Sequence, residues 1–362
     1  MFLKTRKQLA AQFEPAADYG FFGPDSVSWK VWGHPTSYIL GFARSVTIEH
    51  FDPNLAASVV QSGGVKARPH TRYARTMRYF SMVAFGATEP TAKAADILVK
   101  VHSKAIGHDP VTGGTYDAND PSSQLWIHIT AWHSILYCYE KFGPGKLSAA
   151  EELQYWQECA RAAELQTIDP ADVPRDREAV RAYFDAWRPR LAGSEDAQDM
   201  IDFILHLDVA LPPDLEKWKR ASLMPVIRIL SKAVVSTYPK HMRALGDVHQ
   251  SALMDAAVLA PTKLIHLVLA KSLNARMLLM GMLAPDAMET GAPAVLGLPA
   301  KNPITMTPRE AQAKYGYDIP AQAHLAMRAK QQERVFKQHE KPSDDGLRES
   351  EELIGQMFAH AG

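Results

Sequence analysis

Residues 91–106 read TAKAADILVKVHSKAI, and their reading decides that of the whole chain. Wound at helical pitch, they bring Ala95, Leu98, Val101, His102 and Ala105 to one stripe, spaced by three and four. No period-two alternation competes with this pattern. The stretch is therefore predicted to be a helix with a histidine on its apolar side. Thr88-Glu89-Pro90 supplies a start, with a capping hydroxyl and a first-turn proline, and Gly107 the expected C-terminal cap. An imidazole on an apolar stripe is costly unless a partner meets it. Two partners are open on spacing alone: a buried hydrogen bond, or a metal or haem iron, with small neighbours leaving room for a flat cofactor.

The same periodicity extends in both directions, and no β-α-β rhythm appears. Helices are predicted over 35–48, from Asp52-Pro53 to Gly63-Gly64, and over 71–85. The Asp-, Gly- and Pro-rich segment 108–121 is predicted as a loop. A long helix without a charged face then runs to Phe142, stopped by Gly143-Pro144-Gly145. Ser148 with Glu151 forms a capping-box pattern for a helix to Leu165. Further helices fit 176–191, 195–207, 213–236 and 240–283, the last broken near Pro261. The expected fold is all-α: a single multi-helix domain over 34–284 with a globin-like helical core, and extended arms at both ends. Residues 1–33 form the N-terminal arm. Residues 285–362 form a Pro-rich arm followed by a charged helix over 321–340 and a polar, frayed end.

The 362 residues carry 40 Lys+Arg and 40 Asp+Glu, so nothing in the overall charge calls for nucleic acid or an anionic membrane surface. Cys138 and Cys159 build no disulfide framework and no C-x-x-C motif. No secretory pattern opens the chain. Two apolar stretches fall short of an uninterrupted span of roughly 20 residues. One, 121–139, is broken by polar side chains, and the other, 258–283, by Lys263, Lys271 and Arg276. Both are expected to be helices buried on every face, in a cytoplasmic protein without a membrane span.

Two more polar groupings stand in apolar surroundings. Arg72, Arg75, Thr76 and Tyr79 share one helix face. They make either a solvated, ion-paired face or a carboxylate clamp, since arginine holds carboxylates through two parallel hydrogen bonds and so suits haem propionates. Trp126, His128, Thr130, Trp132 and His133 lie on the helix without a charged face, where at least one histidine must be buried and partnered. For His128 the candidates are Asp117, Asp120 or a carbonyl of the preceding loop, or a metal. The H-E-x-x-H, G-x-S-x-G and G-x-G-x-x-G patterns and the paired E-x-x-H motifs of di-iron bundles are absent.

Taken in order, Trp32-Gly33-His34-Pro35, Arg72-x-x-x-Thr76, His102 with Ile106-Gly107, Tyr116-x-Ala118-x-Asp120-Pro121 and Trp126-x-His128 resemble the MpaB / latex-clearing-protein oxygenase family. Glu151, Tyr155, Trp156 and Val173-Pro174 continue the likeness, which spans about residues 30–245. The resemblance implies an all-α haem-b-dependent oxygenase that uses dioxygen on a small lipophilic, isoprenoid-like substrate. It implies His102 as the iron ligand, Arg72 and Thr76 as catalytic residues beside the haem, and Arg75 in place of a basic residue between them. His128 joins the cofactor-binding set. The rubber-cleaving branch has a distal glutamate before the Arg-x-x-x-Thr motif. Here Glu49, 23 residues before Arg72, is the acidic candidate, with His50 adjacent. Two other readings use the same residues. One is a non-catalytic haem-binding or sensing protein, with His128 or His133 as a second axial ligand. The other is a cofactor-free helical interaction protein. A homodimer joined through the C-terminal arm is a further expectation.

Overall fold

The structure is a computed structural model that describes residues 3–62 and 64–340. The chain opens with α1 (Arg6–Ala10) and α2 (Val27–Trp32). A wide π-helical turn, Ser37–Gly41, runs into α3 (Phe42–Glu49), followed by α4 (Pro53–Ser62) and α5 (Gly64–Ala67). Next come α6 (Pro69–Phe85) and α7 (Thr88–His102), strands β1 (Ile106–His108) and β2 (Thr115–Asp117), and then α8 (Pro121–Phe142). The remainder is α9 (Ala149–Ala163), α10 (Arg177–Trp187), α11 (Glu195–Leu205), α12 (Lys217–Val235), α13 (Lys240–Leu245) and α14 (Ala252–Ala257). It closes with α15 (Leu259–Lys271), α16 (Leu273–Leu283), α17 (Met288–Leu296), α18 (Pro308–Tyr315) and α19 (Pro320–Gln332). The predicted all-α fold is what is found. Among the described residues the only sheet is the β1–β2 hairpin, with Gly107 facing Tyr116.

Helix α8 is the axis of the packing. Asp120 caps it, accepting from the backbone N–H groups of Ser122 at 3.0 Å and Ser123 at 3.1 Å, and Pro121 fills the first position, where a missing N–H costs nothing. Along α8, Trp126, Ile129, Cys138 and Phe142 are all fully enclosed. Each large apolar side chain contributes roughly 1.5–3 kcal/mol by leaving water. α3 and the π-helical turn lie against one side of α8, and α2 and α9 against others. The predicted capping box of α9 is present, with Ser148 and Glu151 bonding each other's backbone N–H.

Several boundaries depart from expectation. α7 stops at His102, and Ile106-Gly107 enters β1 instead of capping the helix. The 240–283 stretch breaks near Pro261 as expected, at Val258 between α14 and α15, and also at residues 246–251 and at Ser272. Pro261 lies in the first turn of α15, where a proline has no hydrogen bond to remove. The N-terminal segment is no free arm: Phe21, Phe22, Val27, Val31 and Trp32 belong to the main core, and the Glu158 carboxylate caps α2 through the N–H groups of Val27 and Ser28. Nor is 285–320 wholly extended. α17 buries Ala292 and Leu296 in a core with Ala74 and Met77 of α6, even though Pro293 lies inside it. α19, the expected charged helix, packs on α7 of its own chain. The polar end beyond residue 340 lies outside the described residues. The 258–283 stretch is not buried on every face: Leu264, Leu267, Val268 and Leu278 are exposed. The 121–139 stretch is buried, as expected.

Candidate active site

Pro69 at the first position of α6 and Gly86 past its end frame the polar stripe. The Thr76 hydroxyl donates to the Arg72 carbonyl at 2.9 Å, one turn back, so its proton is used within the helix and its lone pairs remain. Arg72, Arg75, Thr76, Tyr79 and Phe80 all reach one cavity of about 470 Å³. That volume is ordinary for a small-molecule or cofactor site. Its other walls come from the π-helical turn, α3, α7, α8, α12 and α16, and they are mostly apolar.

His102, the last residue of α7, lies in the same wall. Among the described residues neither ring nitrogen has a hydrogen-bond partner. Burial, reinforced by the Arg72 charge, pushes its pKa down to about 4. The imidazole is thus neutral near pH 7 and presents a lone pair, the form in which histidine binds metals.

The arginine stripe divides in two. Arg75 and Arg78 feel the nearby carboxylate of Asp286, which follows α16. Among the described residues Arg72 has no acidic partner: burial alone acts on it, lowering its pKa. A buried cation without a counter-charge is expensive. Arg72 is therefore the stronger of the predicted clamp residues for an anionic ligand.

Glu49 and His50, 23 and 22 residues upstream of Arg72 in sequence, line the same cavity. Burial raises the Glu49 carboxyl to about 7, partly offset by the Ser45 hydroxyl that donates to it from one turn back. The indole of Trp126 donates to the Glu49 backbone carbonyl at 3.2 Å, fixing the end of α3 against α8. His50 bonds the Val46 carbonyl through Nδ1, while its buried Nε2 is unpartnered. Burial lowers its pKa to about 4.

His128 also touches the cavity, but its Nε2 donates to the Cys159 carbonyl at 2.8 Å, tying α8 to α9. Asp117 and Asp120, its expected partners, bind Arg328 of α19 instead, at 2.9 and 3.1 Å. His133 lies off the cavity wall, with its Nδ1 3.3 Å from the buried Arg44 guanidinium. Phe80 and Met82 line the cavity, while Trp126 and Trp132 are core, stacked with Trp187 and against Tyr155.

The Ile106-Gly107 and Tyr116-x-Ala118 motifs form the hairpin that anchors the end of α7. A Cβ on Gly107 would meet the Tyr116 ring at 2.7 Å. The Ala118 N–H bonds the Ala105 carbonyl at 2.9 Å, and Asn119 donates to the Val99 carbonyl at 2.7 Å. Sequence reasoning missed Ser45, Tyr73, Asp286 and Arg328. Ser45 stands four residues before Glu49, a spacing that places both on one helix face. Tyr73, whose hydroxyl bonds the Tyr38 carbonyl, and the distant Asp286 and Arg328 carried no local signal.

A mostly apolar cavity with, among the described residues, one neutral imidazole lacking a hydrogen-bond partner, one arginine lacking a counter-charge and one easily protonated carboxyl is the outline of an enzyme pocket for a lipophilic or anionic group. The chain belongs to the family of ER-bound oxygenase mpaB/B'/rubber oxygenase catalytic domains, matched over residues 29–271. It is therefore an oxygenase-type enzyme domain of the oxidoreductase class. No curated protein and no solved structure matches it.

Proposed function

We propose that this protein is a haem-b-dependent oxygenase that acts with dioxygen on a small lipophilic substrate, isoprenoid-like in chemistry. The observation that carries the reading is His102: a neutral imidazole with no hydrogen-bond partner among the described residues, in a cavity wall it shares with Arg72, which has no described counter-charge. The donor set fits haem. His102 would hold the iron, and Arg72, with Arg75 beside it, would hold the propionates. Haem iron, when bound, supplies the dioxygen chemistry. The chain's own residues do the rest. The apolar walls exclude water and receive the lipophilic part of the substrate. Thr76 offers hydroxyl lone pairs beside Arg72. Glu49, held by Ser45 and with its pKa near neutrality, is suited to taking and returning a proton. His128 supports the wall from α9 rather than ligating, since its Nε2 is already bonded.

The test is a visible spectrum of the full chain expressed with added haem precursor. A Soret band that is lost in His102→Ala and weakened in Arg72→Ala supports the assignment. A chain that takes up no haem overturns it. Oxygen consumption with prenylated compounds then tests turnover.

A further inference from the structure

We propose that α12, α15 and α16 form a docking face for an anionic lipid bilayer. Of the fourteen large apolar side chains exposed among the described residues, eight lie between positions 218 and 278. Leu253, Leu264 and Leu278 are each at least 60% exposed, and Leu267 and Val268 are about half exposed. The segment Ala252–Lys271 has the length and apolarity of a spanning helix, yet only 17% of its most apolar window is buried. Such a concentration is unusual on a soluble surface and marks a site of contact. Leu253 and Met254 lie on the short α14, and α15 packs directly on α12, α14 and α16, so these side chains belong to neighbouring helices.

Charge selects the occupant. The balanced total for the chain hides a local bias: α12, α15 and α16 contain no Asp or Glu, but carry Lys217, Lys219, Arg220, Arg228, Lys232, Lys263, Lys271 and Arg276. The acids at their borders are already engaged, Glu216 with Lys219, Asp208 with Arg220 and Asp255 with Arg243. Lys217, Arg228, Lys232, Lys263 and Lys271 form no ion pair among the described residues. Exposed leucines interspersed with unpaired cations match the interface of an anionic membrane, where apolar side chains enter the acyl boundary and lysines meet the headgroups. Val226 of α12 is both exposed and part of the cavity wall, so the cavity reaches the surface on this helix. A lipophilic molecule dissolved in the bilayer would enter there without crossing water.

The full chain is floated with vesicles of phosphatidylcholine alone and of phosphatidylcholine mixed with phosphatidylglycerol. Binding to the mixed vesicles is expected. Leu264→Glu combined with Leu267→Glu should weaken it by about tenfold or more, and Lys263→Glu combined with Lys271→Glu should do the same. All four positions are exposed, so circular dichroism should show an unchanged fold. Absence of vesicle binding by the unmodified chain overturns the proposal, as does binding that neither double variant weakens. A dimer that becomes monomeric in the leucine variant, with no vesicle binding, overturns it in favour of a second copy of the chain on this face. Flotation reads neither haem nor turnover, so its failure leaves the oxygenase reading intact.

Discussion

At the scale of single residues, Glu49 ties structure to rate most directly. Its carboxyl titrates near 7 because burial disfavours the anion. If it takes a proton during turnover, kcat/KM should rise as pH climbs through 7 and then level. Glu49→Gln should flatten that rise and lower the rate by about 10²–10⁴-fold, the range typical of a lost acid–base group. An unchanged pH profile in the variant would remove Glu49 from the chemistry. The role of His102 was only half visible in sequence. The helical stripe put an imidazole on an apolar face, but only the packed chain shows that no described residue bonds it. His128 presents the opposite case. Its burial was legible, yet its partner, the Cys159 carbonyl, is 31 residues away on another helix, where no spacing rule reaches.

At the scale of elements, the hairpin after α7 holds His102 in place. Gly107→Ala would press a methyl group into the Tyr116 ring and should cost about 1–3 kcal/mol in urea unfolding. A loss below half the lower bound would show that Tyr116 can yield. α19 clamps the same region from outside through Arg328. Because that arginine is partly exposed, Arg328→Ala should cost only about 1 kcal/mol, readable as a small fall in Tm. The helices themselves were largely legible, since period and caps are local. Their ends were not always so. The glycine after Ile106 looks like a helix cap in sequence, but it is required by an aromatic ring nine residues further along. The proline-rich stretch similarly conceals α17, whose burial depends on residues of α6 more than 200 positions earlier.

At the scale of the whole molecule, buried titratable groups set the acid limit of stability. His34, His50, His102 and His128 are each lowered to about 4, mainly by burial, while Glu49 and Asp52 are raised to about 7 and about 6. Between pH 6.5 and 4.5 the unfolded chain protonates these histidines and the native chain does not. The two acids act in the opposite sense, holding protons in the native state that the unfolded chain has released. The histidines outnumber them, so these six groups alone should take up about two protons on unfolding near pH 5, and through them stability should fall by about 3 kcal/mol per unit of acidification. Urea titrations at pH 5 and pH 6 measure this directly, and equal midpoints would contradict it. The cavity wall extends further along the chain than the family match. Leu279, Met282 and Leu283 complete its wall, and Asp286 faces Arg75 and Arg78, all beyond the matched residue 271. The smallest piece that could be inherited, fused or transplanted with its chamber wall complete therefore ends no earlier than Asp286. A fragment cut at the family boundary would carry the histidine and the arginines on an open, water-filled cleft.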